Sequence, residues 1–334
     1  TISDTPIDTT LIWVGTDDGN VQVTKDNGDT WHNVKNNIDG IPEKIWVSRV
    51  EASKHSKGRA YVSFDNHRFD DNKPYVYVTE DYGNTWSDIS SNLPQDYSVY
   101  VVKEDYVDEN LLFVGTEKSV YFSNDRGTTW EKLGSNLPTV AIHDLVIHPR
   151  DGDLIAGTHG RSIWILDDIS PLRFLNEKED KLLPIRISTK WVKINTGRKQ
   201  PYFEFRGENP PYGTIINYFS TINTEGELII SKNKIDDDSK EPIFRKSLNV
   251  KAGINRIVWP FEFERTEDEF FRYRDNLIKI KKEFKSITID KKGLDKYNFI
   301  DQKSFTELNK VRKSFLDDYG MYAGGVKVFD DKLY

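Results

Sequence analysis

One eight-residue pattern occurs three times in this chain of 334 residues. It reads Ser/Thr-x-Asp-x-Gly-x-Thr-Trp and lies at residues 24–31, 79–86 and 123–130. In such a turn, Asp accepts hydrogen bonds from backbone N–H groups, Gly adopts a left-handed conformation, and Trp packs between strands. We therefore predict that the three turns stabilise the fold and do not catalyse a reaction. Their structural residues are Asp26, Gly28, Trp31, Asp81, Gly83, Trp86, Asp125, Gly127 and Trp130.

Short strand-like runs surround each copy of the turn. Residues 11–23 and 111–122 each contain two β-rich runs separated by a polar turn, and residues 153–165 repeat this arrangement without the eight-residue pattern. The Trp residues of the three turns are 55 and then 44 positions apart. This period is typical of four-stranded propeller blades, so the sequence predicts about four blades before Pro171.

The three turns resemble the Asp boxes of BNR-repeat proteins, a group that includes sialidases, sortilin-type propellers and some endoglucanases. The stretches IWVGTDDGNVQVTKDNGDTW, SRVEAS, DNHRFDDNKPYVYVTEDYGNTW and GTHGRSIWILDDISPL resemble large proteins of the sortilin-like class, which are often labelled glycosyl hydrolases. The resemblance continues through GENPPYGTIINYF and AGINRIVWPF. It implies an Asp-box propeller and a secreted, periplasmic or outer-surface location.

The resemblance also bears on how many blades the protein has. BNR propellers close with more blades than this chain offers, so the resemblance implies that the chain carries the last blades of a longer propeller. The rest of that longer chain would then be a partner of these blades. A complete four-bladed propeller is the alternative.

The repeat pattern stops after Pro171. Strand-like runs then alternate with Gly, Pro and Asp turns, which predicts a fibronectin-like or immunoglobulin-like β-sandwich. Capping boxes at residues 266–269 and 304–307 precede apolar residues at helical spacing, and they predict a two-helix insertion at about residues 266–319. The predicted fold is therefore mainly β, with propeller blades over residues 1–170 and a sandwich over residues 171–334.

Composition excludes several classes of function. The chain has 47 basic and 54 acidic residues, so its charge gives no reason to expect binding to nucleic acid. It has no Cys, which excludes disulfides and thiolate metal sites. No apolar run approaches the roughly 18 residues of a membrane span. We expect no cofactor and no metal, since His143 and His148 are five residues apart on one predicted strand and point to opposite faces.

The candidate binding residues follow from blade geometry. In a propeller, the loops between second and third strands lie on the face opposite the Asp boxes, and ligands of such proteins usually bind there. Blade 2 has an insertion of about seven residues in this loop, at residues 64–73, and a long polar loop on a rigid scaffold favours binding. The candidates on this face are His67, Arg68, Asp70, Asp71, His159, Arg161, Asp17 and Asp18.

Each candidate also has a structural interpretation. Asp17-Asp18-Gly19 is a good turn sequence, and the polar side chains of residues 67–71 could pair with one another. Arg161 could anchor a carboxylate, or it could hold the propeller to the following domain. We predict that residues 64–73 and 158–162 lie on one face, where they could flank a common groove or the central channel.

Two functions remain open from the sequence. The first is a non-catalytic scaffold that binds a protein, peptide or glycan. The second is a glycoside hydrolase with a cleft across the propeller face, which needs two carboxylates about 5–10 Å apart. Acidic side chains are available at Asp17, Asp18, Asp70, Asp71 and Glu117, but the sequence does not show that any two converge. Binding is favoured because the chain contains no complete catalytic constellation.

Overall fold

The computed structural model describes residues 1–134, 136–176, 178–188, 211–234 and 237–261. The chain divides into two compact units, Thr1–Pro184 with Asn217–Thr221, and Ile185–Ile216 with Ile222–Tyr334. The first unit therefore extends beyond residue 170, at which the sequence places the end of the propeller. The predicted two-helix insertion at residues 266–319 lies outside the described residues.

The first unit contains four successive antiparallel sheets, which we call blades 1 to 4. Among the described residues, blades 1 to 3 have four strands each and blade 4 has three. The predicted propeller fold, mainly β, is confirmed. The strands of blades 1 and 2 are β1 (Ile2–Thr5), β2 (Asp8–Gly15), β3 (Val21–Thr24), β4 (His32–Asn33), β5 (Trp46–Ala52), β6 (Ala60–Asn66), β7 (Asp71–Thr79) and β8 (Ser87–Asp88). Those of blades 3 and 4 are β9 (Val99–Glu104), β10 (Leu112–Thr116), β11 (Val120–Ser123), β12 (Glu131–Lys132), β13 (Ile142–Ile147), β14 (Leu154–Thr158) and β15 (Ile163–Leu166).

Each Asp box closes the turn between the third and fourth strands of its blade. In the third box, the Asp125 carboxylate accepts hydrogen bonds from Thr129 N (2.8 Å) and Thr129 Oγ1 (2.6 Å). Ser123 Oγ donates to Asp125 (2.7 Å) and accepts from Gly127 N (2.8 Å). Burial would raise the pKa of Asp125, but these hydrogen bonds outweigh it and hold the pKa below its ordinary value.

The first and second boxes repeat this network. The equivalent hydroxyls and carboxylates are those of Thr24, Asp26, Thr79 and Asp81. Hydrogen bonds, above all from the Thr30 side chain, lower the pKa of Asp26 to about 2. The network is local, because every partner lies within six residues of the others, and each blade therefore carries its own copy.

The glycines of the second and third boxes pack closely against the preceding blade. Gly83 has φ +85°, and a Cβ at this position would lie 2.9 Å from carbon atoms of Val34. Gly127 has φ +85°, and its Cβ would lie 3.0 Å from Ile89. Val34 and Ile89 both follow the fourth strand of the preceding blade and are buried. Glycine is thus required both by its left-handed backbone and by this close approach.

The box tryptophans add to the same interfaces. Trp86 packs edge-on against Trp13 of blade 1, with ring centroids 6.0 Å apart. Trp130 donates from Nε1 to the carbonyl oxygen of Ile89 in blade 2 (2.7 Å) and is 3% exposed. Trp31, in blade 1, is 40% exposed.

Neighbouring blades pack through opposite faces of their sheets. Successive side chains of a strand point to opposite faces of the sheet, so every second residue of a blade contacts the next blade. We call the face that contacts the next blade the downstream face. The third strands contribute Val21 and Val23, Val76 and Val78, and Val120 and Phe122, all of them buried. The opposite, upstream face contacts the preceding blade. The first strands of blades 2 to 4 place Val50, Val102 and Leu145 there, each at most 1% exposed.

An ion-pair network centred on the buried Arg59 joins blades 2 and 3 beside the Asp boxes. The Arg59 side chain is 6% exposed, and it donates to Glu80 (2.8 Å) and to Glu109 (2.8 Å). Arg126, which lies within the third box, also contacts Glu109 at 3.0 Å. The guanidinium of Arg59 lowers the pKa of Glu109, mainly through its hydrogen bond.

Two fully buried carboxylates lie at the end of β9. Glu104 accepts hydrogen bonds from Ser53 Oγ (3.0 Å) and Tyr61 OH (3.0 Å), both in blade 2. Asp105 accepts two hydrogen bonds from Arg173, from Nε at 2.7 Å and Nη2 at 2.9 Å. Arg173 belongs to a short 3-10 helix, Ser170–Phe174, that follows blade 4. Blades 2, 3 and 4 are therefore joined by charge as well as by apolar packing.

Blade 4 ends without an Asp box. Asp168, 5% exposed with φ +59°, accepts hydrogen bonds from Ser170 Oγ (2.6 Å) and from Asn217 Nδ2 (3.3 Å). A short strand, β16 (Lys181–Leu182), pairs with the part of β17 (Thr214–Ser220) that belongs to the first unit. These contacts explain why residues 217–221 belong to the first unit.

The second unit contains a long hairpin of β18 (Thr224–Lys234) and β19 (Asp237–Val250), followed by β20 (Gly253–Trp259). The sequence predicts strands at 185–194, 202–206, 214–220, 227–231, 243–250 and 255–261. The described strands overlap the last four ranges, whereas residues 185–188, the described part of the first range, are not in a strand, and the second range lies outside the described residues. Trp259 contacts the rings of Phe244 and Phe261, with centroids 6.4 and 5.4 Å away.

We predict that Ser123→Ala lowers the free energy of unfolding by about 1–3 kcal/mol, because it leaves the buried Gly127 N–H without its partner. The exposed Thr128 hydroxyl bonds a backbone carbonyl of the same turn, so Thr128→Ala serves as the control and should cost much less. Urea unfolding of both variants provides the measurement. Equal stabilities would contradict a structural role for the box.

Candidate functional site

The candidate site lies on the face opposite the Asp boxes, which we call the loop face. Successive turns of an antiparallel sheet lie at opposite ends of its strands. The second-to-third strand loops and the blade-to-blade connections are therefore at one end, and the Asp boxes are at the other. Residues 16–20, 64–73, 117–119 and 158–162 all lie at this end of their sheets. The sequence predicts a loop over residues 64–73, but β6 continues to Asn66 and β7 begins at Asp71, so only residues 67–70 form the turn and the insertion mainly lengthens the hairpin.

A β-bulge occurs near the start of the first strand in blades 2, 3 and 4. Val47 pairs with Phe64 and Arg49 with Ser63, so Ser48 has no opposite residue. The same shift in register leaves Tyr100 unopposed in blade 3 and His143 unopposed in blade 4. A bulge re-aims the side chain of its extra residue and occurs often beside functional sites. Each of these blades thus presents one additional side chain near the loop face.

Four rings from three blades form a row on this face. His67 packs edge-on against Tyr100 with centroids 6.2 Å apart, and Tyr100 stacks on His143 at 4.6 Å. His143 in turn lies 5.2 Å from His159. We call these four residues the ring row. Two of its members, His67 and His159, come from the loops at 64–73 and 158–162, so the structure brings these loops to one continuous surface.

A buried carboxylate orients the first ring of the row. Asp65 is 6% exposed, and its carboxylate lies 2.6 Å from His67 Nδ1 and accepts a bond from the His67 backbone N–H (3.1 Å). The His67 side chain is 40% exposed. With Nδ1 held by Asp65, the free ring nitrogen is Nε2, which is the atom that can meet a ligand.

The remaining candidates of the blade 2 loop have other contacts. Arg68 lies over the ring of Trp46, with Cζ 3.7 Å from the centroid. Asp71 accepts hydrogen bonds from Asn66 Nδ2 (3.0 Å) and Tyr75 OH (2.8 Å). Burial would raise the pKa of Asp71, but these hydrogen bonds outweigh it and the pKa lies below its ordinary value. Asp71 therefore fixes the loop.

Asp70 and the blade 1 candidates lie apart from the ring contacts. Asp70 ends a short 3-10 turn, with φ +60°, and is exposed. Asp18 accepts hydrogen bonds from Thr16 Oγ1 and from Asn20 Nδ2 (2.8 Å), and the Thr16 bond above all lowers its pKa. Asp17 is exposed in the same turn. Asp18 thus has the geometry of a turn residue.

The blade 4 turn carries two exposed polar side chains. His159 belongs to the ring row, and its backbone N–H donates to the Ala141 carbonyl (2.8 Å). Arg161 is exposed, and its carbonyl accepts from Trp164 Nε1 (3.0 Å). Gly160 and Ser162 both have positive φ, at 78° and 67°. This backbone orders a turn that presents both polar side chains to solvent.

An ion pair crosses from blade 2 to blade 4 beside the row. Arg49 Nη2 lies 2.5 Å from Asp144 Oδ1, and the two side chains are 29% and 55% exposed. Both residues immediately follow the bulge residue of their strand. The charges of Arg49 and Asp144 therefore compensate each other next to the rings.

Titration at the row follows from its burial and charges. Burial, together with the charges of Asp65 and Glu117, raises the pKa of Tyr100 to about 12, so this side chain stays a neutral phenol. Burial lowers the pKa of His143, and the neighbouring His159 lowers it further. His148 lies beyond β13 and contacts Asp151, away from the row. Among the described residues, no group of three or more His, Asp or Glu side chains is arranged to hold a metal ion.

Sequence reasoning missed Trp46, Asp65, Tyr100 and Asp144, and it considered His143 only as a metal ligand. A bulge depends on the pairing register of two strands, which no local motif reveals. One signal was present in the sequence. Tyr100 and His143 both follow a blade-to-blade connection that contains Ser-Asn-Leu-Pro, at residues 91–94 and 135–138, and they lie nine and eight residues after its Ser, so the motif indicates the region but not the exact equivalence of the two positions.

Comparison with protein families gives a match for residues 74–181. The matching family is Sortilin-Vps10 (sortilin, neurotensin receptor 3). The resemblance to sortilin-like Asp-box proteins is confirmed. The matched segment includes the second and third Asp boxes, Tyr100, His143, His159 and Arg161. A search of curated proteins gave no match.

Several solved structures are similar to the chain at low identity. A GH74 enzyme from Niastella koreensis is 11% identical over 50% of this chain and 28% of its own, with a TM-score of 0.40. A GH74 xyloglucanase from Xanthomonas campestris is 13% identical over 66% of this chain and 34% of its own, with a TM-score of 0.40. The structure of YCF48 bound to D1 peptide is 13% identical over 75% of this chain and 66% of its own, with a TM-score of 0.37. The chain thus spans less than two thirds of the length of each. No helix among the described residues is both long and apolar enough to cross a membrane.

We predict that the His143 imidazole titrates below the usual histidine pKa of about 6.5 and that His159→Gln raises its midpoint, since a like charge is removed. Because folding weakens proton binding at His143, stability from this group is present above about pH 6.5 and falls as the pH drops below it. Histidine proton NMR titration measures the midpoint, with His32→Gln on β4 as the control. An unchanged His143 midpoint in His159→Gln would contradict the interaction.

Proposed function

We propose that the chain is an extracytoplasmic binding scaffold whose loop face holds a segment of a protein or peptide ligand. The observation that carries this proposal is the ring row, which spans three blades with rings in contact at 4.6 to 6.2 Å. Rings held rigid by strands and by a buried carboxylate lose little conformational entropy when they meet a ligand. The sortilin-like resemblance of residues 74–181 supports the extracytoplasmic location.

The residues around the row favour a ligand that carries polar or acidic groups. Trp46, Tyr100 and the arginines are the residue types that contribute most to protein interfaces. The guanidinium of Arg68 is stacked on the Trp46 ring, so its position is fixed and its planar face is available to a ligand. Arg161 is the exposed cation beside His159, and it is the best anchor for a ligand carboxylate. The matched family description names a receptor, which also supports binding.

Four carboxylates of the loop face have contacts that do not suit a general acid of glycoside hydrolysis. A glycosidase requires a general acid with a raised pKa and a second carboxylate across the scissile bond. Hydrogen bonds lower the pKa of Asp18 and Asp71, which is the wrong direction for a general acid. Asp65 is held by His67 and Asp144 by Arg49. Binding is therefore the function that the geometry supports best.

We predict that peptides selected from a random display library on the wild-type chain lose at least tenfold in affinity with Tyr100→Ala, because this substitution interrupts the ring row. Arg161→Ala should weaken peptides that carry an acidic residue and spare those that do not. Lys25→Ala, beside the first Asp box, is the control for the opposite face. Fluorescence anisotropy with labelled peptides provides the measurement.

Two results would overturn this proposal. The first is a loss of affinity with Lys25→Ala while Tyr100→Ala and Arg161→Ala have no effect, which would place the ligand on the Asp-box face. The second is release of reducing sugar from xyloglucan or another β-glucan by the wild-type chain, abolished in a loop-face Asp variant such as Asp70→Asn. That result would identify a hydrolase.

A further inference from the structure

A buried carboxylate and a partly exposed histidine form a dyad at the end of β6. Both carboxylate oxygens of Asp65 contact His67, since Oδ1 accepts from the backbone N–H (3.1 Å) and Oδ2 lies 2.6 Å from ring Nδ1. Asp65 is 6% exposed, whereas the His67 side chain is 40% exposed. The carboxylate thus lies inside the blade and holds the ring from its Nδ1 side.

The contact between Asp65 and Nδ1 determines which nitrogen of the neutral ring carries the hydrogen. An ionised carboxylate only accepts hydrogen bonds, so the contact requires a hydrogen on Nδ1. A neutral imidazole has one N–H group, and its other nitrogen accepts hydrogen bonds. Nε2 of neutral His67 is therefore an acceptor.

The strands and the neighbouring blade keep the dyad in place. Asp65 pairs with Trp46 of β5, so its backbone belongs to the sheet. His67 begins a 3-10 turn that Asp70 closes, because the Asp70 N–H donates to the His67 carbonyl (3.0 Å). Tyr100 of blade 3 packs edge-on against the His67 ring, at an angle of 80°. The position and the tautomer of this ring are thus set before a ligand binds, which lowers the entropic cost of binding.

We propose that Asp65 is a positioning residue that makes the blade 2 end of the ring row a hydrogen-bond acceptor, so that His67 Nε2 selects a donor group on the ligand. This inference rests on the binding function proposed above. The adjacent Arg68 is a cation and disfavours a ligand ammonium group, so the donor is an amide N–H or a hydroxyl. Arg161, near the blade 4 end, has only donors, and the two ends of the row therefore select opposite groups.

The selectivity follows from the cost of an unmade hydrogen bond. A ligand carbonyl or carboxylate against Nε2 would place two acceptors together, and neither would have a partner. A site that depends on a hydrogen bond discriminates against ligands that lack the complementary group. Asp65 thus sets specificity through His67, without contacting the ligand itself.

Nitrogen NMR of the histidine rings tests the tautomer without a ligand. At about pH 8, above the usual histidine pKa, proton–nitrogen spectra of the full chain should show hydrogen on Nδ1 of His67 and none on Nε2. The loss of these signals in His67→Phe identifies them. Asp65→Asn should reverse the pattern, because the introduced amide keeps its oxygen on the backbone N–H and turns its NH₂ group toward Nδ1.

A matched control removes a carboxylate elsewhere. Glu43 is exposed in the connection between blades 1 and 2, and Glu43→Gln should keep the wild-type pattern. Melting temperatures show whether each variant is folded. The wild-type spectrum decides the tautomer even if Asp65→Asn does not fold.

Peptide binding tests the selectivity. Peptides selected from the display library on the wild-type chain are changed at one donor at a time, by methylation of a backbone N–H or removal of a hydroxyl. One such change should weaken binding to the wild-type chain by about two- to tenfold. The same change should have no effect on binding to His67→Phe or Asp65→Asn, and this comparison separates the lost hydrogen bond from a steric effect of the methyl group.

The outcomes separate this proposal from the binding function on which it rests. If no library peptide binds the wild-type chain, the binding function fails, and the NMR pattern still decides whether Asp65 sets the tautomer. A hydrogen on Nε2 in the wild-type chain, or an unchanged pattern in a folded Asp65→Asn, would overturn the proposal. So would peptides that bind but tolerate every donor change, or a loss of the same size in the wild-type chain and both variants.

Discussion

The packing of the second and third Asp-box glycines against the preceding blade is the contact on which the spacing of blades 1 to 3 depends. Gly83 rests on Val34 and Gly127 on Ile89, at distances that leave no room for a Cβ atom. The hydrogen bonds around the box aspartate hold the glycine in its left-handed conformation, so a local network sets a distance between blades. The spacing of the blades then determines which side chains meet on the opposite face.

The loop face is a consequence of that spacing combined with the bulges. Without the bulge, Tyr100 and His143 would follow the ordinary alternation of their strands and point toward a neighbouring blade or away from it. With it, their rings stack at 4.6 Å across two blades, and each reaches a histidine from a loop. Ser48 occupies the equivalent bulge in blade 2, and its hydroxyl donates to the Val99 carbonyl. The β-bulge therefore joins blade 2 to blade 3 through Ser48, whereas in blades 3 and 4 it places Tyr100 and His143 on the loop face.

Sequence reasoning predicted the parts of this structure that depend on local chemistry. The boxes, the blades and the loop at residues 64–73 could be found because each rests on a turn motif or on a length difference between repeats. The roles of Arg68 and Asp71 could not, because they depend on Trp46 and Tyr75, which meet these residues only after the strands pair. The role of Tyr100 could not be predicted for the same reason, because the ring row forms only when blades 2, 3 and 4 are packed together.

The ion pairs beside the boxes limit how such a protein can change its number of blades by gene duplication. An Asp box depends on its own blade and on the apolar residue before it, so recombination could copy a blade with its box intact. Glu104 and Asp105 are fully buried, and their partners lie in blade 2 and after blade 4. Inserting a blade beside them would leave a buried carboxylate without its partner, at a cost of about 3–5 kcal/mol. We therefore expect blades 2 to 4 to be kept as a unit when blades are gained or lost.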